Sequence, residues 1–191
     1  MSVILKNDLD KFISIDDHTF QEVLRYFERI SFKKKTNLME ENEFCDSHFF
    51  VEQGCIRKFF LKDNGVEQTT EFAMEHWWMT DTFAFERKLQ TTFCIQAVEP
   101  STVLRISYNN RKALLTAHPI MERYFRMVYQ RSYAASERRI RYLYEFSREE
   151  LYFLFEKNYP QFVQRIPQYL LASFLGFTPE YLSEIRSKHR S

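Results

Sequence analysis

The chain has little of the chemistry on which several classes of protein depend. Only three of its 191 residues are glycine, which leaves little room for the glycine-rich loops that cradle phosphates or form nucleophile elbows. The three cysteines share no short metal-like spacing, so we expect reduced thiols without a zinc or iron–sulfur site. No run of about 18 apolar residues occurs, so no membrane span is predicted.

The histidines and the first residues exclude further classes. The five histidines are far apart and include no His-x-His pair, the arrangement that a metal-dependent enzyme on a small β-roll needs. We therefore predict no catalytic residue, no bound metal and no cofactor. Acidic side chains such as Asp8 come too early for a typical secretory signal, so we expect a cytoplasmic protein.

The charges that are present are unevenly distributed. Residues 1–110 contain 13 Lys and Arg against 18 Asp and Glu, whereas residues 111–191 contain 14 against 8. A basic C-terminal part favours a polyanionic partner such as double-stranded DNA. A solvated helix surface would give the same asymmetry.

Short β-like runs dominate the first part of the chain. After an expected helix from Thr19 to Arg29, alternating apolar runs are separated by turn signals, among them the Asn-Gly pair at 64–65. The expected strands are 49–51, 56–61, 69–74, 93–97 and 102–107. Many short strands in one continuous segment are typical of a jelly roll.

A long helix is predicted from Pro119 to about Phe146. Met121, Phe125, Val128, Ser132, Ala135, Arg139, Tyr142 and Phe146 recur in alternating steps of four and three, as in a coiled coil. The stripe favours a dimerisation helix. The alternative is a helix that packs on the roll of its own chain.

The last 27 residues contain the pattern of two helices joined by a tight turn. Apolar residues from Leu170 to Leu175 predict the first buried face, and Gly176 ends that helix in a conformation that glycine adopts freely. Thr178 is expected to cap the second helix. This order is typical of a DNA-binding helix-turn-helix, although any helical hairpin with a glycine turn could produce it.

A β-roll, a long helix and a C-terminal helix-turn-helix in that order resemble the Crp/Fnr superfamily of bacterial transcription regulators. The segment FVEQGCIRKFFLKDNGVEQTTEF resembles the family's strand–glycine–strand–hairpin signature, and PSTVLRIS its last effector-domain strand. The segment RIPQYLLASFLGFTPEYLSEIRSK resembles the C-terminus of short members of the Bacteroidetes type, which have no winged hairpin.

The resemblance implies an effector site that this chain has lost in part. Nucleotide-binding members carry Gly-Glu and Arg-Ser or Arg-Thr pairs in a phosphate cassette. At those positions this chain has Thr80-Asp81 and Thr91-Thr92. Threonine cannot supply the charge-assisted contact of arginine to phosphate, so response to cyclic AMP is not expected. An unknown small-molecule effector remains a candidate.

The resemblance also implies a DNA-reading surface on the last helix. Its expected residues are Thr178, Glu180, Tyr181, Ser183, Glu184, Arg186 and Lys188. Glu184 stands where the family usually has arginine, which means altered sequence preference or weakened affinity. The alternative is therefore a dimeric protein-interaction module derived from such a regulator.

Together these features predict an α+β chain in three parts. Residues 1–117 form a jelly-roll effector domain of the cyclic-nucleotide-binding type, 118–146 the dimerisation helix, and 147–191 an all-α helix-turn-helix module without a wing. The expected partners are double-stranded DNA and a second copy of the chain. RNA polymerase is a further candidate partner through the resemblance.

Overall fold

The computed structural model describes residues 2–190, apart from the side chains of His189 and Arg190, and divides into two compact units. The first unit contains the residues up to Phe60 together with Glu71–Arg131, and the second contains Leu61–Thr70 together with the chain from Ser132 onwards. The division falls inside the long helix. The boundaries expected after residues 117 and 146 therefore stay predictions.

Antiparallel strands build the β-roll. They are β1 Glu28–Phe32, β2 Asn37–Met39, β3 Ser47–Gln53, β4 Ile56–Leu61, β5 Glu67–Ala73, β6 Trp78–Met79, β7 Cys94–Ala97 and β8 Ser101–Ser107. In the described part of the chain they form one sheet in the order β1-β8-β3-β6 and another in the order β2-β7-β4-β5. The predicted combination of helices with a jelly-roll-like arrangement of strands is thereby confirmed.

Helices precede and follow the strands. They are α1 Val3–Leu9, α2 Asp17–Leu24, α3 Thr82–Arg87, α4 Tyr108–Ala117, α5 Ile120–Glu145, α6 Arg148–Asn158, α7 Pro160–Arg165, α8 Gln168–Leu175 and α9 Pro179–Arg190. The first helix expected, Thr19 to Arg29, is too long at its end. Glu28 and Arg29 instead lie in β1, because Glu28 pairs with Arg105 and Arg29 with Leu104 of β8.

Alternation along β3 separates two apolar cores within the first unit. Phe49 and Val51 pack between the sheets with Ile95 and Val103, whereas Phe50 packs on the opposite side against helices. The helical side also buries Leu5, Phe20, Val23, Leu104, Ile106, Leu114, Met121, Tyr124 and Phe125. Because β3 is covered on both faces, its first six residues are all buried, including the polar residues Ser47, His48 and Glu52.

A buried hydrogen-bond chain fastens α1 to the roll. Asp8 is fully buried, and its Oδ2 accepts from the Tyr124 hydroxyl at 2.8 Å. That hydroxyl in turn accepts from the Trp78 Nε1–H at 2.8 Å. Lys11 supplies the opposite charge, with its Nζ 2.9 Å from Asp8 Oδ1. The buried carboxylate is therefore satisfied, which burial of a charge requires.

The coiled-coil stripe predicted along α5 lies only partly on the surface. Met121, Phe125 and Val128 are buried in the helical core of their own chain, so this part of the stripe cannot contact a second copy. Further along, Arg139 donates to the carbonyl oxygens of Thr70 and Phe174 in the second unit. The use of the remaining stripe residues in a dimer stays a prediction. The second half of α5 also exposes large apolar side chains on another face, at Tyr133, Ile140, Leu143 and Tyr144.

The second unit begins its helices with the expected signals. Ser147 caps α6 in a capping box, its Oγ accepting from the Glu150 N–H while the Glu150 carboxylate accepts from the Ser147 N–H at 2.9 Å. Gly176 ends α8 in the left-handed region, at φ 78°. The Thr178 Oγ1 then accepts from the Tyr181 N–H at 3.2 Å, at the start of α9.

The cysteines lie inside the fold. Cys45, Cys55 and Cys94 are buried, and no disulfide joins them in the described part of the chain. No group of three or more metal-ligating side chains comes together within that range. None of the helices in it is both long enough and apolar enough to cross a membrane.

Candidate functional site

Asp81, one of the predicted cassette residues, lies at the start of α3 and is 6% exposed. Its Oδ1 accepts a hydrogen bond from the Ala84 N–H at 3.2 Å, which caps the helix. Its Oδ2 accepts from the Thr91 hydroxyl at 2.9 Å. Both oxygens are thus engaged inside the cassette, so Asp81 braces α3 against the turn that contains Thr91.

The other cassette residues differ in what they contact. The Thr80 hydroxyl donates to the Ser47 carbonyl oxygen at 2.8 Å, and Thr80 is 3% exposed. Thr91 is fully buried, and its Oγ1 also accepts from the Phe93 N–H at 3.0 Å. Thr92 is exposed. The structure therefore brings Thr80, Asp81 and Thr91 into one buried network and leaves Thr92 outside it.

A cation does lie beside the cassette, and it comes from the neighbouring sheet. The Lys58 Nζ donates to the Thr80 carbonyl oxygen at 3.1 Å and lies 2.6 Å from the Glu71 carboxylate. The Lys58 side chain is only 15% exposed. Sequence reasoning missed this residue because Lys58 belongs to β4 and is separated from Thr80 by 22 positions, so no local motif connects them.

Arg87 and Lys88, at the end of α3, are cations close in sequence to the position of the missing cassette arginine. The Arg87 guanidinium instead lies over the Phe83 ring, 4.4 Å from its centroid, and the Lys88 Nζ lies 4.2 Å from that of Tyr108. Each cation is thus held on an aromatic face. Lys88 also ends α3 in the left-handed region, at φ 54°.

The aromatic residues near the cassette do not converge on one pocket. Trp78 packs in the helical core and Phe85 between the sheets, whereas Phe83 is 61% exposed. These aromatic side chains therefore belong to separate cores or face solvent, and they do not line one shared site.

A cavity of about 250 Å³ opens elsewhere in the roll. Apolar side chains from β1, β2 and β3 line it, with Glu43, Asp46, Ser47 and Arg105 as its polar members. The Arg105 Nε donates to the Ser47 hydroxyl at 2.7 Å. The four predicted cassette residues do not line this cavity, so it is separate from the cassette.

Charged side chains tie the cassette helix to α4 and α5. The Arg111 Nη1 lies 2.7 Å from the Glu86 carboxylate, and the Tyr129 hydroxyl donates to Glu86 at 2.8 Å. The Arg111 guanidinium lowers the pKa of Glu86, whereas burial raises the pKa of Tyr129. Because one carboxylate receives both donors, α3, α4 and α5 are held at a single point.

His48 lies next to this cluster and is completely enclosed. Its ring stacks on Tyr129 at 6.0 Å and lies 4.6 Å from Trp78, between ring centroids. Among the described residues its Nδ1 has no hydrogen-bond partner. Burial, and then the charges of Arg111 and Lys58, lower the pKa of His48 from 6.5 to about 3.

We expect Asp81→Ala to lower the free energy of unfolding by about 1–2 kcal/mol, because it removes a helix cap and the nearer of the two acceptors of the buried Thr91 hydroxyl. Urea denaturation measures this change. Asp63→Ala, at an exposed turn, is the control and should stay within about 0.5 kcal/mol of the unchanged protein. Equal stabilities of both variants would contradict the bracing role of Asp81.

The predicted DNA-reading residues lie on one side of a packed helix pair. Leu170, Leu171, Ala172 and Leu175 of α8 and Leu182 and Ile185 of α9 are buried. Exposed side chains remain at Thr178, Glu180, Ser183, Glu184 and Lys188, while Tyr181 and Arg186 are half-buried. The apolar residues thus account for the packing, and five of the seven predicted DNA-reading residues keep exposed side chains.

Two of these exposed residues bind each other. The Lys188 Nζ lies 2.7 Å from Glu184 Oε1, one helical turn away. The Glu184 carboxylate also raises the pKa of Lys188. A lysine expected to hold a phosphate is therefore paired within its own helix, which reduces the positive field of this face.

Comparison with protein families identifies the roll. Residues 29–118, which are 90 of the 191 residues, match the family model "Cyclic nucleotide-binding domain". The match includes all the strands from β2 to β8 and the cassette. A search of characterised proteins by sequence found no match.

Solved structures share the fold at low sequence identity. FixK2 from Bradyrhizobium japonicum has a TM-score of 0.69 at 16% identity, covering 85% of this chain and 83% of that chain. The regulator CLP from Xanthomonas campestris, described as c-di-GMP responsive, has 0.66 at 13%, covering 92% of both chains. The Thermus thermophilus catabolite activator protein has 0.58 at 16%, covering 92% of this chain and 84% of that one. The chain therefore shares with these structures a fold that combines a cyclic-nucleotide-binding-type roll with a long helix.

Proposed function

We propose that the protein is a sequence-specific, DNA-binding transcription regulator of the Crp/Fnr type. The observation that carries this proposal is the α8–α9 pair, which buries its apolar residues and keeps Glu180, Ser183, Glu184 and Lys188 exposed. In a helix-turn-helix the second helix enters the major groove, so α9 would be the recognition helix. The solved neighbours are regulators and not enzymes, which supports a non-catalytic role.

The cassette supports a regulator that does not respond to cyclic AMP. Thr91 is buried and bound to Asp81, so neither residue resembles the arginine and ribose-binding glutamate of nucleotide-binding relatives. Lys58 is the nearby cation, but Glu71 and the Thr80 carbonyl already bind it. Any effector would therefore use other chemistry than the family's phosphate contact.

The assembly proposed is a homodimer built on α5. Tyr133, Ile140, Leu143 and Tyr144 lie within one side of the helix, since steps of three, four and seven return to the same face. They are 49–89% exposed, and a group of exposed large apolar side chains is a mark of an interaction surface. A two-fold axis along this face would place two recognition helices about one DNA turn apart.

The experiment that tests this function is selection of bound fragments from sheared bacterial DNA, followed by affinity measurements across salt concentration. We expect a recovered palindrome with half-sites about one helical turn apart, and an affinity that falls steeply with salt. Absence of any enriched sequence, with weak binding at low salt, would contradict the proposed function.

Substitutions in α9 should separate two kinds of contact. Arg186→Ala should weaken binding about tenfold on all sequences and reduce the salt slope by about 1, as loss of a phosphate contact does. Glu180→Ala should instead relax discrimination between bases by about 1–3 kcal/mol. Arg123→Ala, at an exposed position of α5, serves as the charge control. Unchanged binding in both α9 variants would show that α9 is not the reading helix.

The second candidate is a dimeric protein-interaction module whose DNA binding is weak or lost. The Glu184–Lys188 ion pair favours it, because it neutralises a cation that a DNA-binding helix would direct at phosphate. Glu184→Gln distinguishes the candidates. If α9 reads DNA, this substitution releases Lys188 and should strengthen binding about tenfold at low salt.

A further inference from the structure

Residues 67–70 of the edge strand β5 belong to the second unit, and a helix contacts them where a further strand would otherwise pair. β5 is the last strand of its sheet, so one side of its backbone has no neighbouring strand. Residues 67 and 69 of a strand direct their N–H and C=O groups to the same side, because the direction alternates along the chain. At an edge such groups must find other partners or face water.

Ser173 of α8 supplies these partners. Its Oγ accepts from the Thr69 N–H at 2.9 Å and donates to the Glu67 carbonyl oxygen at 2.9 Å. One hydroxyl thus makes the donor and acceptor contacts that a paired strand would make. The Gln68 side chain adds a bond to the Ser173 carbonyl oxygen.

Arg139 of α5 binds the residues that follow Thr69 and Ser173 in the chain. Its guanidinium donates to the Thr70 carbonyl oxygen and, at 2.7 Å, to that of Phe174. It also lies over the Phe174 ring, 3.9 Å from the centroid. A planar guanidinium can serve both carbonyls and the ring at once, which a lysine cannot.

We propose that residues 67–70 of β5, together with Ser173 and Arg139, form a conformational latch, called here the β5 latch. The latch is closed when Ser173 and Arg139 make their hydrogen bonds to β5, and these bonds hold α8 against β5. The α8–α9 pair is then fixed in one orientation. When it opens, the pair is free to turn about the break between α5 and α6. The consequence for DNA rests on the proposed function, whereas the latch itself does not.

Strand β5 connects the latch to the cassette contacts of Lys58. Glu71 follows Thr70 directly in β5 and lies 2.6 Å from Lys58, whose Nζ also holds the cassette carbonyl of Thr80. A ligand or partner that took Lys58 away from Glu71 would release the strand next to the latch. Glu71→Gln keeps the size of the side chain and removes the ion pair.

Amide hydrogen exchange of the full chain, resolved at Thr69 and along α8, tests the latch. In Ser173→Ala we expect the Thr69 amide to exchange about tenfold faster, with faster exchange also at the start of α8, because its acceptor is lost. Glu71→Gln should change Thr69 in the same direction by a smaller factor. Ser136→Ala removes a serine hydroxyl that bonds to its own helix, and should leave Thr69 unchanged.

The remaining outcomes separate the latch from the proposed function. Unchanged exchange at Thr69 in Ser173→Ala, or acceleration confined to Thr69 while α8 exchange stays the same, would overturn the latch. Arg139→Lys, which keeps the charge, guards against misfolding of the serine variant and should also accelerate α8 exchange.

If the unchanged protein selects no DNA, the proposed function fails while the exchange result still decides the latch. If it does bind DNA, Ser173→Ala should shift the affinity for the selected site by about threefold or more, and an unchanged affinity would overturn the switch.

Discussion

Acidification from pH 6.5 to pH 3 should cost the protein about 4 kcal/mol of unfolding free energy through His48 alone. The folded chain keeps this ring neutral down to about pH 3, whereas the unfolded chain takes up a proton below 6.5. The unfolded state therefore binds more protons throughout this window, so stability falls as the pH falls. At pH 5 the loss should already be about 2 kcal/mol.

The measurement is urea denaturation at several pH values for the unchanged protein and for His48→Phe. The phenylalanine is apolar, fits an aromatic surrounding and cannot take up a proton, so the pH dependence due to this site should disappear. His18→Gln, at an exposed histidine, is the matched control and should keep the slope of the unchanged protein. Identical slopes for His48→Phe and the unchanged protein between pH 4 and pH 6.5 would contradict the assignment.

Ile140→Asp should prevent formation of the homodimer proposed on α5. The two copies of residue 140 would approach each other across the two-fold axis of the proposed interface, and facing carboxylates cost several kcal/mol. We expect the dimer to dissociate at least about 100-fold more easily. Affinity for a palindromic operator should fall by a similar factor, because the second half-site no longer benefits from linkage.

Sedimentation velocity measures the first effect and fluorescence anisotropy with labelled operator the second. Ala135→Asp is the control, since it introduces the same charge at an exposed position of the opposite helix face. That residue belongs to the stripe predicted from the heptad spacing. Dissociation by Ala135→Asp, without dissociation by Ile140→Asp, would restore the predicted stripe and exclude the interface proposed here.

The heptad pattern of α5 shows what spacing alone can and cannot tell. Spacing correctly predicted a long helix from about residue 119 to 146, because the apolar period of a helix is a local property. It could not tell whether a given stripe faces another chain or its own. Met121 and Phe125 pack in the roll's helical core, and Arg139 is held by carbonyls of the second unit, so these residues of the stripe are used within the chain.

Strand prediction failed where the pattern was weak and pairing was strong. β4, β7 and β8 were found near their observed bounds, since each has alternation or an adjacent turn signal. β1, β2 and β6 were missed. β6 has only two residues, and it is a strand because it pairs with Phe49 and Phe50 of β3. β1 is likewise a strand because it pairs with β8. Such pairings join distant parts of the chain, which no local window contains.

The cassette residues also show which chemical features the sequence predicts and which depend on the fold. Alignment of four positions showed that a phosphate-binding arginine is absent. It did not reveal that Asp81 and Thr91 bond to each other, or that Lys58 reaches Thr80 from another strand. Side chains that act together here are separated by 10 and 22 positions. Their relation follows from the fold and not from any motif.

The sequence by itself determined the signals that act within a few residues: the capping box at Ser147, the left-handed turn at Gly176, the Thr178 cap and the absence of metal-ligand spacing. Tertiary structure decided which groups are buried, paired or exposed. It enclosed His48 among aromatic rings, turned Ile140 outward, and placed the Ser173 hydroxyl on the edge of β5. The physical reason is that capping and turns are set by the local backbone, whereas desolvation and pairing depend on elements that meet only after folding.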